Sequence, residues 1–228
     1  MKKLVGSKRG SHVGVIASFG IFIFFLVGLY FVFEPALKIQ RSKQGILESV
    51  EQDLENKLSS ELTTVIINPG GNCSTLSNSI ANVSETVYSI VKEQDQGIVG
   101  TDFSGQNLII DARNEPLWVY FSDIQFNGNP GSGSGCTAPE IKSVRKSQEI
   151  FEKKIIESVV NFTSFKANIS IPPGSDFSFS FTFANGTTIS AGEKNVSQEV
   201  YGNEIPIQYI DSKANNLGGK LTIKVWTY

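Results

Sequence analysis

The chain has 228 residues, 40% of them hydrophobic and 18% charged, with a net charge of −2. Four basic and no acidic side chains fall in the first 33 residues, so the remainder carries −6 and lacks the basic face that a nucleic-acid partner requires. A single histidine, His12, and two cysteines, Cys73 and Cys136, remove Ser-His-Asp and Cys-His catalysis and most zinc sites from everything beyond the N-terminal segment.

Residues 1–10 form a basic leader containing Lys2, Lys3, Lys8 and Arg9. Ser11 to Phe33 then runs for 23 residues without Asp, Glu, Lys or Arg. As a helix it rises roughly 35 Å, enough to cross a hydrocarbon core of about 30 Å. Six phenylalanines and no polar stripe leave such a helix no face for water. The run is longer than the apolar region of a secretory signal and ends in Phe33-Glu34-Pro35, with no small-residue cleavage pattern. Basic residues precede it, and a mixed set (Glu34, Lys38, Arg41, Lys43 and Glu48) follows. This bias predicts a cytoplasmic N-terminus, a single pass through a lipid bilayer and an extracytoplasmic domain.

Pro35 suits the first turn of a new helix or a kink. From 36 to 62 the sequence predicts an amphipathic helix, because Leu47, Val50, Leu54, Leu58 and Leu62 recur at steps of three and four. Residues 63–228 change texture to short apolar runs between turn residues. "LTTVII", "NLII" and "PLWVYFSDIQF" predict strands. Thr137-Ala-Pro-Glu140 fits a capping box, and Ile141, Val144, Phe151, Ile155 and Val159 predict a helix over at least Gln148 to Val160. In "DFSFSFTF" the four phenylalanines 177, 179, 181 and 183 share one face of a strand, with Ser178, Ser180 and Thr182 opposite. Asn185-Gly186 predicts a hairpin into "TTIS", and "EIPIQYI" and "KLTIKVW" predict two closing strands separated by Asn215–Gly219. The expected fold is α+β: an N-terminal transmembrane helix continuing into an amphipathic helix, then a mainly antiparallel β domain with one packed helix.

Lys8-Arg9-Gly10 followed at once by a long apolar helix resembles the leader of type IV pilin-like proteins, especially archaeal ones. The resemblance covers the first 60 or so residues and extends to small membrane-anchored surface proteins of archaea. It implies cleavage between Gly10 and Ser11 on the cytoplasmic side, with the apolar helix kept and packed among copies in a homo-oligomer or filament. The glutamate that bacterial pilins place five residues into the mature chain is here Val15.

In an oxidising compartment Cys73 and Cys136 form one disulfide; two buried thiols are the alternative. Six N-x-[ST] sequons, at Asn72, Asn82, Asn161, Asn168, Asn185 and Asn195, are compatible with glycosylation. No P-loop, dinucleotide fingerprint, EF-hand or H-E-x-x-H motif occurs. Carboxylate pairs such as Asp102/Asp111 and Glu115/Asp123 read as solvated, and Trp118 and Tyr120 as sheet-face residues rather than a sugar platform. The chain is therefore expected to have no catalytic residue, cofactor or metal. It is expected to act as a pilin-like subunit or as a permanently anchored surface protein that binds a protein or glycan.

Overall fold

The computed structural model describes residues 11–77, 87–104, 107–111, 115–131, 135–194, 196 and 199–228, with backbone alone at 11–13 and 35–43. The described chain is α+β, with an apolar N-terminal helix and a mostly antiparallel sheet. It divides into two compact units, 1–46 and 47–228. Helix α1 is assigned over Ser11–Leu58, through Pro35. Within the first unit, Gly14–Glu34 is long and apolar enough to cross a membrane, and none of that window is buried. Val15, Phe24 and Phe31 stand exposed along it.

In the second unit the end of α1 buries Val50, Leu54 and Leu58. Leu47, also expected on the stripe, is only half-buried, and the helix stops at Leu58 rather than 62. Ser59 Oγ donates to the Glu55 carbonyl at 2.6 Å, satisfying one of the orphan acceptors at the helix end. The chain then turns directly into strand β1 (Ser59–Asn68), where Leu62 belongs.

The other strands are β2 (Ser74–Ser77), β3 (Tyr88–Lys92), β4 (Ile98–Ser104), β5 (Asn107–Ile110), β6 (Leu117–Ser122), β7 (Asn129–Pro130), β8 (Glu140–Phe151), β9 (Ser175–Thr182), β10 (Thr188–Ala191), β11 (Val200–Ile210) and β12 (Asn216–Thr227). Their order is β10-β9-β12-β11-β8-β1-β6-β3-β4-β5-β2, with β7 beside β4. The pairs β11·β8 and β4·β7 are parallel.

Of the helix expected over Gln148 to Val160, Glu152–Val160 is helical, but Gln148 to Phe151 and the stretch before them back to Glu140 form strand β8. β8 pairs with β1 from Ser59↔Ile150 to Asn68↔Glu140, with a bulge at Ile66/Ile67. Ile141 and Val144, whose spacing imitated a helix face, are exposed on it. A long ladder satisfies every second backbone group of both strands, and that outweighs a weak local period. The helix that does form, α2, is Glu152–Val160, followed by α3 at Phe162–Lys166. Thr137 caps nothing; it bridges to Ser74.

Strand β1 separates two cores. Val65 and Ile67 face a cluster with Leu76, Val91, Leu108 and Val119, while Leu62 points into another with Ile90, Phe126, Phe151 and Ile210. Phe177, Phe179, Phe181 and Phe183 are all buried, as their alternation required. Asn185-Gly186 makes the expected hairpin: Gly186 has φ +83°, and the Asn185 side chain accepts from the Thr187 N–H at 2.9 Å. The β11–β12 turn, however, lies at Asp211–Asn215, and Gly218 and Gly219 are within β12. A Cβ on Gly219 would meet the Phe181 ring at 2.6 Å, so this glycine opens space for an aromatic ring rather than a turn.

Cys73 and Cys136 are joined by a disulfide, Cα atoms 4.7 Å apart and 63 residues apart in sequence. The backbone holds the same two segments together, through Thr137 N–H to the Cys73 carbonyl at 3.2 Å and Thr75 N–H to the Thr137 carbonyl at 2.9 Å. Closing a loop of this length stabilises by about 4 kcal/mol in the chain-entropy model. The C73S/C136S double variant should unfold at correspondingly lower urea concentration. An unchanged midpoint would mean that the backbone bonds alone hold the two segments.

Candidate functional site

Between strands β8, β1 and β6 and the start of β12 lies a cleft of about 920 Å³, within the range of small-ligand sites. The register of the three strands builds its floor. Arg145, Thr64 and Tyr120 stand opposite one another, as do Ser143, Ile66 and Trp118, and directly opposed residues share a face. The odd positions of β1, Val65 and Ile67, turn to the other side and into the core. Strand alternation thus leaves Trp118 and Tyr120 half-buried on the open face, beside Arg145 and Glu149. Gln208, Asn215 and Asn216 form the opposite wall. Burial pushes the Tyr120 phenol above its ordinary pKa, so it stays a neutral donor. Aromatic side chains flanked by amides, hydroxyls and one guanidinium suit stacking and hydrogen bonding to a polar ligand.

The sites expected from sequence do not converge on this cleft. Gly10 lies outside the described residues, and Ser11 opens α1. Asn72, Asn161, Asn168 and Asn185 are exposed, and Asn82 and Asn195 lie outside the described residues. Asn168 spends its amide on the Ser164 carbonyl at 2.9 Å, and Asn185 shapes its hairpin. Asp102, Glu115 and Asp123 are exposed. Among the described residues no group of three His, Cys, Asp or Glu side chains could hold a metal.

A second polar cluster went unread in the sequence. Asp176, at the start of β9 with its side chain only 5% exposed, pairs with Lys166 and with Lys194, the latter at 3.0 Å. It also accepts from the Tyr228 hydroxyl at 2.8 Å and the Phe177 N–H at 2.7 Å. Burial pushes its carboxyl up, but the two lysines, the tyrosine and the backbone donor together hold it well below the usual carboxylate range. The cluster ties α3 and the last residue of the chain to β9, which is a structural role.

A depressed folded pKa makes this stabilisation complete above the unfolded aspartate value of about 4 and removes it as pH falls below that value. The stability gap between wild type and Asp176→Asn should therefore shrink as pH is lowered from about 5 to 2. Urea midpoints across that range would measure it, and a constant gap would show that the carboxylate charge contributes nothing.

The chain matches no protein-family model, no curated protein and no solved structure.

Proposed function

We propose that this is a single-pass membrane protein with a non-enzymatic extracytoplasmic domain, acting as a pilin-like subunit. The observation carrying this reading is the contrast along α1. The 21 residues Gly14–Glu34 bury nothing within the chain, whereas Val50, Leu54 and Leu58 are wholly buried in the second unit. An apolar helix that the described residues leave unburied is suited to lipid or to copies of itself. An amphipathic continuation whose stripe packs on a β domain is the pilin-like layout, and the disulfide suits an oxidising exterior. The charge bias of the basic leader supports a cytoplasmic N-terminus.

Cleavage after Gly10 decides this reading. The mature N-terminal peptide should begin at Ser11, and Gly10→Val should block removal of the leader, because a peptidase at the membrane face needs an unencumbered backbone there. Surface filaments should then disappear while the amount in the membrane stays constant. A native protein that begins at Met1 would overturn the subunit reading.

The cleft supports a second reading, a permanently anchored protein that binds a glycan or peptide. Trp118 would supply the stacking surface and Arg145 the charged anchor. On glycan and peptide arrays, Trp118→Ala should weaken whatever the wild-type domain binds by at least about tenfold. A domain that binds nothing on either array would leave the cleft without this role.

A further inference from the structure

Lys92, at the end of β3, is 1% exposed. It stands opposite Trp118 on one neighbouring strand and Ile98 on the other. Its Nζ donates to Asn215 Oδ1 at 2.6 Å and lies 3.4 Å from the Ala214 carbonyl oxygen. The same Asn215 side chain donates its Nδ2 to Asp211 Oδ2 at 2.7 Å. A carboxylate only accepts and an ammonium only donates, so the two neighbours fix which end of the amide faces which.

The turn that presents this amide is held firmly. Asp211 Oδ1 accepts from the N–H groups of Lys213 and Asn215, both at 2.8 Å, and Ala214 sits at φ +55°, a conformation that costs a non-glycine residue energy. Burial lowers the Lys92 pKa, while the nearby Asp211 charge opposes that shift. A buried lysine drawn toward its neutral form is a nucleophile. Asn215 also lines the cleft, which gives a small leaving molecule a way out.

We propose that Lys92 and Asn215 are joined in the mature protein by an intramolecular isopeptide bond, with Asp211 carrying the proton. Lys92 gives one proton to Asp211, and the freed lone pair forms a bond from Nζ to Asn215 Cγ. The attacking nitrogen passes a second proton to Nδ2. Collapse of the tetrahedral centre restores the carbonyl and breaks the Cγ–Nδ2 bond. Ammonia leaves, takes the proton held by Asp211 and departs as ammonium, so that the carboxylate is regenerated. One ammonium side chain and one amide become a secondary amide and an ammonium ion, with no oxidant, reductant or co-reactant. The link ties β3 to the β11–β12 turn across 123 residues of sequence.

The test is mass spectrometry of the full chain, extracted from membranes in detergent, reduced and digested with trypsin. The wild type should give a branched peptide in which Leu58–Arg113, uncut after Lys92, is joined to Ala214–Lys220. Its mass should be lower by one ammonia than the two peptides together. Lys92→Met and Asn215→Ala should abolish the branched species, and Asp211→Asn should leave the two peptides separate. Recovery of unmodified Leu58–Lys92 and Ala214–Lys220 from wild type would overturn the proposal without relying on any variant's folding. Ammonia loss that persists in Lys92→Met would also overturn it, because Asn215 would then be cyclising on its own backbone. A branched peptide from Asp211→Asn would overturn the role given to Asp211.

Discussion

The second unit depends on one strand being paired on both edges and packed on both faces. β1 bonds to β8 along its whole length and to β6 from Thr63 to Ile67, so it joins the two halves of the sheet order. Its alternation sends Val65 and Ile67 into one core and Leu62 into the other. A strand in this position cannot slip by one residue without exchanging the contents of the two cores. The cleft inherits its geometry from the same constraint, because Thr64 and Ile66 are the β1 residues that set Arg145, Tyr120 and Trp118 in register.

What was legible in the sequence had a local physical cause. The strict alternation of Phe177 to Phe183 has one period-two interpretation, and Asn185-Gly186 chooses a hairpin through backbone preferences of two adjacent residues. The charge-free run before Glu34 was legible because its length and composition alone set it apart. β8 was not legible. "EIKSVRKSQEIF" is largely exposed, so its hydrophobic period is weak, and the partner that decides its state is about 80 residues away. Leu62 has a related ambiguity: it continues the leucine stripe numerically, but the ladder to β8 has already begun at Ser59.

The candidate site divides in the same way. Trp118 and Tyr120 could be placed on a sheet face from their strand alone, yet the wall opposite them comes from residues 208 to 217, which local pattern does not bring near. The Asn215–Gly219 stretch has the composition of a turn, but the turn is made upstream by the Asp211 side chain. Lys92 in "YSIVKEQ" looks like an ordinary solvated lysine at a strand end. Its burial is a consequence of the β11–β12 turn, which no nearby residue announces.

Chain order gives β1 a mechanical meaning. The helix that ends at Leu58 feeds directly into β1 at Ser59, with no linker between them. Tension arriving through that helix therefore enters the domain at the end of β1, and its component along the strand loads the β1 ladders directly. Its hydrogen bonds to β8 and β6 run perpendicular to the strand, so the load is applied in shear and the rungs resist it together. A sheet entered at an edge strand would instead peel one rung at a time. Resistance to a pull is set by the barrier to unfolding rather than by the folding equilibrium. The first strand to receive force is therefore one paired along its whole length to β8 and from Thr63 to Ile67 to β6, so many rungs share the load.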